Sequence, residues 1–204
     1  AEEFLPSALV PNADRVLGAG DLTCTILRYF DNTYWCGAGV AAAGAAEPAV
    51  LAAPAVASVA PGQATVVPLS LESRGHAVSA FAASITFDPG KLVLDRTDGD
   101  GDGLPDAVHF QLPDGTQPMV FYTPATGRID LVATGVMSPM PTFGDGVIVT
   151  LDLKAAPGAG TDVTAVTLSN LSLGDSTGGA VPVVAATLPA PAARTNLFLP
   201  AIVH

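Results

Sequence analysis

The amino-acid sequence predicts an all-β sandwich. Charged residues make up only 13% of the 204 residues, whereas glycine and proline, which favour turns, number 21 and 18. Val, Thr, Leu and Ile recur in short runs between these turn residues, and the later part of the chain has almost no helical periodicity. Many short apolar runs separated by turns are typical of a two-sheet sandwich, and this length is enough to bury a core.

The clearest strand is predicted at 77–87, where the side chains alternate between two faces. The two faces carry Phe81, Ala83, Ile85 and Phe87 on one side and Val78, Ala80, Ala82 and Ser84 on the other. The larger apolar side chains predict that the first face is buried. Asp88-Pro89-Gly90 then ends the strand, because proline has no N–H for a ladder and glycine tolerates the positive φ of a turn.

The same pattern divides the whole chain into segments. Strands are predicted near 55–60, 64–72, 77–87, 91–95, 107–112, 118–123, 127–134, 146–155, 163–173 and 180–186. Four regions follow, namely a compositionally separate unit at 1–46, an Ala/Pro linker at 47–54, the sandwich at 55–186, and a Pro-rich linker with an apolar tail at 187–204. The stretch 40–60 is as long as a membrane span, but it is mostly alanine and contains Glu47 and two prolines, so no span is predicted.

The net charge of −11 limits the possible partners. Phosphate binding needs clustered Lys and Arg, and the eight such residues are scattered, so nucleic acid is not an expected partner. An acidic surface instead suits cations or a basic protein surface.

Four aspartates at alternating positions predict a cation site between two strands. Asp98, Asp100, Asp102 and Asp106 occupy positions 1, 3, 5 and 9 of a calcium loop. Gly103 stands at position 6, where the loop bends, and Leu104 can supply its carbonyl at position 7. The spacing favours a Ca²⁺ ion over a solvated acidic turn, and over Mg²⁺, which requires a smaller octahedron.

The loop departs from a complete calcium loop at its last position. His109 stands at position 12, where a bidentate Glu would be expected. The seventh ligand is therefore expected to be water or another residue such as Asp95. We expect the ion to stabilise a long insertion between two strands.

Two cysteines, Cys24 and Cys36, lie close together in the N-terminal unit. The chain begins at Ala1, which fits either a mature protein without its signal peptide or a trimmed piece. If the protein is secreted or displayed at the cell surface, as we expect, the two thiols form one disulfide. Two free buried thiols are the alternative.

No catalytic constellation is predicted, so the chain is expected not to be an enzyme. Gly174-Asp175-Ser176-Thr177-Gly178 matches the G-x-S-x-G string of a hydrolase, which requires a helix after the serine. Strand-like residues follow here and predict a hairpin turn instead. The three histidines, His76, His109 and His204, are not grouped into a triad or a zinc site.

Five motifs in order resemble a cohesin module over residues 55–186. They are Val59-Ala-Pro-Gly62 with the strand that follows, Val78-Ser-Ala-Phe81 through Phe87-Asp-Pro-Gly-Lys-Leu92, Gly127-Arg-Ile-Asp-Leu131, Phe143-Gly-Asp-Gly146 through Leu153, and Val166-Thr-Leu-Ser169. The resemblance implies a nine-stranded jelly roll that binds a dockerin on one flat sheet face. On that face it implies contact positions at Ala80, Ala82 and Ser84, although Ala80 and Ala82 cannot hydrogen-bond as the polar residues of cellulosomal cohesins do.

The N-terminal unit resembles one degenerate half of a dockerin. Asn12, Asp14 and Asp21 match calcium-loop positions 3, 5 and 12, and an amphipathic stretch at 22–30 predicts a short helix. Val10 replaces the first ligand and Arg15 the glycine, so no tight ion is expected. An ordinary N-terminal helix with a polar entry turn explains these residues equally well. The dockerin-like partner could therefore come from this chain, in cis, or from another copy or protein, in trans.

A carbohydrate-binding module is the alternative function for a β-sandwich. Such modules stack sugar rings on exposed aromatic side chains, and here Tyr29, Tyr34 and Trp35 cluster outside the predicted sandwich. Three further aromatic residues on predicted strands, Phe110, Phe121 and Tyr122, are expected in the core. Polysaccharide-associated proteins are further possible partners.

Overall fold

A computed structural model describes residues 47–160 and 162–189. The predicted N-terminal helix, Cys24, Cys36 and the apolar C-terminal tail lie outside these residues. Twelve strands fill the described part of the chain and it contains no helix. They are β1 (Ala49–Pro54), β2 (Val56–Val59), β3 (Ala64–Glu72), β4 (Val78–Phe87), β5 (Leu92–Leu94), β6 (Val108–Phe110), β7 (Thr116–Thr123), β8 (Arg128–Gly135), β9 (Gly146–Ala155), β10 (Asp162–Asp175), β11 (Ala180–Val181) and β12 (Val183–Leu188).

The strands form two sheets of six, so the predicted all-β sandwich is confirmed. One sheet has the order β12-β1-β3-β9-β5, with β6 also paired to β9. The other has the order β11-β10-β4-β8-β7, with β2 also paired to β10. All pairs are antiparallel except β1 with β12. We call the second sheet the β4 sheet.

Two single residues carry the chain from one sheet to the other. Ala55 separates β1 from β2, and Pro182 separates β11 from β12. If each of these two pairs is counted as one bent strand and the short β6 is set aside, the twelve segments become the nine strands of the predicted jelly roll.

The prediction of a linker at 47–54 was wrong, because this range contains β1. All six residues of β1 are buried between β12 and β3. Alanine has a weak strand preference and little apolar surface, so the local pattern did not indicate a central strand. Among the described residues there is no helix long and apolar enough to cross a membrane.

The core lies between the two sheets. The four β4 residues predicted to point inward, Phe81, Ala83, Ile85 and Phe87, are each at most 3% exposed, which confirms the predicted inner face. The ring of Phe81 meets that of Phe143 edge-on, with centroids 6.1 Å apart. Phe110 and Tyr122 pack against the core as expected, but Phe121 does not, because 59% of its surface is exposed.

Candidate functional site

The acidic loop connects β5 to β6 and brings three carboxylates together. Asp98, Asp100 and Asp106 each offer an oxygen, and these oxygens lie within 4.8 Å of one another. Calcium–oxygen bonds are about 2.3–2.6 Å long, so two ligands of one ion lie up to roughly 5 Å apart. The three hard oxygen donors are exposed, and their spacing is compatible with one shared Ca²⁺ ion, which takes about six to eight oxygen ligands in all.

Backbone N–H groups hold these carboxylates in place. Asp98 accepts hydrogen bonds from Gly101 N at 2.8 Å and from Gly103 N at 3.0 Å. Asp106 accepts one from Gly99 N at 3.0 Å. Gly103 has a φ of 88°, a value that a residue with a side chain rarely adopts, which explains a glycine at the predicted bend.

The other two predicted ligands are arranged differently. The carboxylate of Asp102 accepts a hydrogen bond from Leu104 N at 2.7 Å, and Asp102 is not part of the group of three. Both residues nevertheless line the same depression as Asp100 and Asp106. Their roles as ligands stay predictions.

Two residues considered for the remaining coordination positions have other partners. His109 lies 3.2 Å from the carboxylate of Asp152 on β9. Asp95 accepts a hydrogen bond from Lys154 Nζ at 2.7 Å and others from Thr97. The hydrogen bond from Lys154, followed by those from Thr97, holds the pKa of Asp95 well below its usual range. Asp95 therefore anchors the start of the loop to β9.

The second candidate site is the outer face of the β4 sheet, where the partner positions were predicted. Ala80 is 0% and Ser84 is 2% exposed, while Ala82 is half-buried. Ala80 and Ser84 therefore form part of the floor of this face and offer almost no surface to a partner. Their assignment as partner positions stays a prediction.

The side chains that reach solvent on this face come mainly from neighbouring strands. The register aligns Phe121 on β7 with Asp130 on β8, and Asp130 with Ser84 on β4. In the next row, Met119, Val132 and Ala82 are aligned and half-buried. The face therefore combines an exposed aromatic ring with a shallow apolar row. Sequence reasoning missed Phe121 because alternation along β7 does not by itself tell which face is covered.

Four polar side chains form one network on the same face. The Ser84 hydroxyl donates to Asp130 Oδ1 at 2.5 Å and accepts from Asn170 Nδ2 at 3.0 Å. Arg128 donates to Asp130 Oδ1 from Nε at 2.9 Å and lies within 3.3 Å of Ser84 Oγ. The network joins β4, β8 and β10. Arg128 and Asp130 belong to the Gly127–Leu131 motif, but only Ser84 was predicted to contact a partner.

The G-x-S-x-G string lies in the turn between β10 and β11. Asp175 N donates to Gly179 O at 2.9 Å, and the Asp175 carboxylate accepts from Thr177 N at 2.8 Å. The predicted hairpin turn is confirmed, since β10 pairs with β11 immediately on either side. Ser176 is therefore not on a strand-to-helix elbow.

The architecture is that of a jelly-roll β-sandwich, and the comparisons with known proteins assign its family. The sequence model of the Cohesin domain family matches residues 50–188, more than half of the chain. This chain therefore belongs to the cohesin family. None of the curated proteins matches the sequence.

Solved cohesin structures share this fold. CaCohA2 from Clostridium acetobutylicum is 19% identical, with a TM-score of 0.53 over 70% of this chain and 88% of that chain. A cohesin–dockerin complex from Clostridium thermocellum gives 13% identity and a TM-score of 0.53 over 68% and 89%. The sixth cohesin of Acetivibrio cellulolyticus scaffoldin B, solved with a dockerin, gives 21% and 0.50 over 68% and 94%.

Proposed function

We propose that this protein is a non-catalytic, extracellular binding module that holds a dockerin-like helix on the outer face of the β4 sheet. The family match over residues 50–188 carries the proposal. Two of the similar structures are cohesins solved together with dockerins. A secreted or cell-surface location follows from this role as part of the same proposal.

The exposed surface of the β4 sheet suits a helix. Phe121 supplies a large apolar contact at one edge, and the half-buried row of Met119, Val132 and Ala82 supplies further apolar surface next to it. Aromatic residues often contribute most of the binding energy at such surfaces. The helix could be the one predicted at residues 22–30 of the same chain, or it could belong to a second copy or to another protein, including one associated with polysaccharide.

A display library of two-helix dockerin scaffolds with randomised helix surfaces is the probe for this proposal. We expect the immobilised full chain to select binders in the presence of calcium. Phe121→Arg should weaken their affinity about tenfold or more, because it removes an apolar contact and places a bulky cation beside Asp130 on the same face. Surface plasmon resonance measures the effect.

The matched control is Val66→Arg, which places the same charge at a 44% exposed apolar position on β3 in the other sheet. Val66→Arg should leave the affinity unchanged. Equal losses in both variants would contradict the proposed face.

Carbohydrate binding is the second candidate function, favoured by the exposed ring of Phe121 on a sheet face. A sugar ring could stack on this side chain. Retention of the full chain on insoluble cellulose, and its loss in Phe121→Ala, would favour this alternative over helix binding.

We propose further that Asp98, Asp100 and Asp106 bind Ca²⁺, with Asp102 and the Leu104 carbonyl as additional ligands. The support is the 4.8 Å spacing of the three carboxylates and their backbone hydrogen bonds. The loop begins and ends near β9, through Asp95 and Val108. An ion there would hold the 95–107 insertion against the sheet and would be structural.

Calcium is expected to raise the melting temperature of the full chain relative to EDTA. An ion bound only to the folded state at 100 times its dissociation constant stabilises by about 2.7 kcal/mol. Asp98→Asn and Asp100→Asn should each reduce the calcium-dependent shift, because each removes a carboxylate ligand. Differential scanning calorimetry measures the shift.

Asp114→Asn is the control, since Asp114 is an exposed aspartate in a different turn. This variant should keep the full calcium-dependent shift. A shift that is absent in the unmodified chain, or unchanged in Asp98→Asn, would contradict the proposed site.

A further inference from the structure

Asn170 has an unusual backbone conformation on β10, the strand next to β4. Its φ is 52°, and Asn170 and Arg74 are the two non-glycine residues with a positive φ in the described part of the chain. Asn170 lies where the pairing of β10 with β4 shifts register, between Ser169 and Ser172. Such bulges redirect a side chain, and strained residues persist where the surrounding structure requires them.

The bulge places the Asn170 amide on the hydroxyl of Ser84. Asn170 Nδ2 donates to Ser84 Oγ at 3.0 Å, and that hydroxyl donates to Asp130 Oδ1 at 2.5 Å. Ser84 is 2% exposed and offers almost no surface to a partner. Its hydroxyl therefore acts through Asp130, and Asn170 fixes the direction in which the hydroxyl donates.

Besides Asn170, which is exposed, a partner can reach two members of the network, Arg128 and Asp130. Their side chains are 46% and 31% exposed, and they form an ion pair with a 2.8 Å separation. Arg128 Nε and the Ser84 hydroxyl both donate hydrogen bonds to Oδ1 of Asp130. Within residues 47–160 and 162–189, Oδ2 of Asp130 accepts no hydrogen bond. The pair therefore presents an acceptor oxygen beside guanidinium N–H donors.

This arrangement favours one kind of partner side chain. Because Arg128 and Asp130 neutralise each other, a charged partner group would lose its hydration without gaining a net opposite charge. A carboxamide carries one acceptor and two donors and matches the guanidinium and the free carboxylate oxygen together. Because Phe121 lies next to Asp130, we expect the partner to carry an apolar side chain beside the carboxamide.

We infer that the Ser84–Arg128–Asp130–Asn170 network selects a dockerin-like helix that carries Asn or Gln next to an apolar side chain, with Asn170 as a positioning residue. This inference rests on the proposed function. It assigns to β8 and β10 the polar recognition that Ala80 and Ala82 on β4 cannot provide.

The test uses the clones selected from the two-helix library against the unmodified full chain. We expect Asn or Gln to be enriched at one helix position beside an apolar residue. Enrichment of any other residue class there, or of none, would overturn the inference. If the affinity of such clones still falls in Phe121→Arg, the proposed helix-binding face holds and only the inferred preference for Asn or Gln has failed. The two hypotheses can therefore be tested separately.

The variant Asn170→Gly tests whether Asn170 affects partner affinity without affecting stability. Glycine accepts the positive φ without strain, which offsets the loss of the Asn170–Ser84 hydrogen bond, so the melting temperature should change little. Affinity for the selected clones should fall about tenfold, because the Ser84 hydroxyl loses one of its hydrogen-bond partners. Arg74→Gly is the matched control, because Arg74 has a φ of 51° in the β3–β4 turn. Arg74→Gly should leave the affinity unchanged. Unchanged affinity in Asn170→Gly, or an equal loss in both variants, would overturn the role of Asn170.

Discussion

Phe81→Ala is expected to lower the free energy of unfolding by about 3–5 kcal/mol. The Phe81 side chain is fully buried in the centre of β4, and its ring packs edge-on against Phe143. Truncation removes the transfer free energy of the ring and leaves a cavity between two sheets whose backbones are held by ladders on both sides. Urea denaturation followed by circular dichroism should show a lower midpoint with little change in slope.

Phe121→Ala is the control for this prediction, because it removes the same ring from a 59% exposed position. We expect the free energy of unfolding to change by about 1 kcal/mol or less. If both variants were destabilised equally, the two phenylalanines would not differ in burial and the assignment of the inner face would be wrong.

Gly127→Ala is expected to destabilise the protein by about 2–5 kcal/mol. Gly127 lies in the turn immediately before β8 and has a φ of 62°, where a side chain costs about 1–2 kcal/mol. A Cβ atom would also overlap the carbonyl oxygen of Phe87, to whose N–H the Gly127 carbonyl is hydrogen-bonded at 3.1 Å. Backbone atoms cannot move aside as a flexible side chain does, so overpacking adds about 1–3 kcal/mol.

Gly62→Ala measures the conformational contribution without the steric overlap. Gly62 has a φ of 75° in the β2–β3 turn, but no atom lies within 4 Å of an added Cβ. This variant should lose only the conformational part, about 1–2 kcal/mol, partly offset by a less flexible unfolded chain. Equal losses at both positions, compared by thermal unfolding, would mean that the close approach of Gly127 to Phe87 contributes nothing.

Strand positions followed well from alternation and turn residues. Each predicted strand has a counterpart, and the inner face of β4 is the predicted one. β1 was missed because half of its residues are alanine and it is held in place by pairing with β3 and with β12, which is distant in sequence. Phe121 was wrongly expected in the core for a related reason. β7 is the edge strand of its sheet, and in the described structure no layer covers the outer face of this sheet at Phe121.

The acidic loop and the partner face differ in how far they could be predicted. The ligands proposed for calcium lie within nine residues, so their spacing alone placed three carboxylates near one another. The polar network could not be found in this way, because Ser84, Asp130 and Asn170 are brought together only by the pairing of β8, β4 and β10 and by a bulge in β10.

Local chemistry, then, was sufficient for the fold class, the turns and the acidic loop, because strand alternation, proline, glycine and closely spaced aspartates act over a few residues. Long-range pairing decided which strands are central, which aromatic side chain stays exposed and which polar groups share a hydroxyl. Those features depend on register between distant segments, since Ser84 and Asn170 are 86 residues apart and β1 pairs with β12, at Ala49 and Val183, over a still longer separation. Such register is set by the packing of the whole sandwich and by no single stretch.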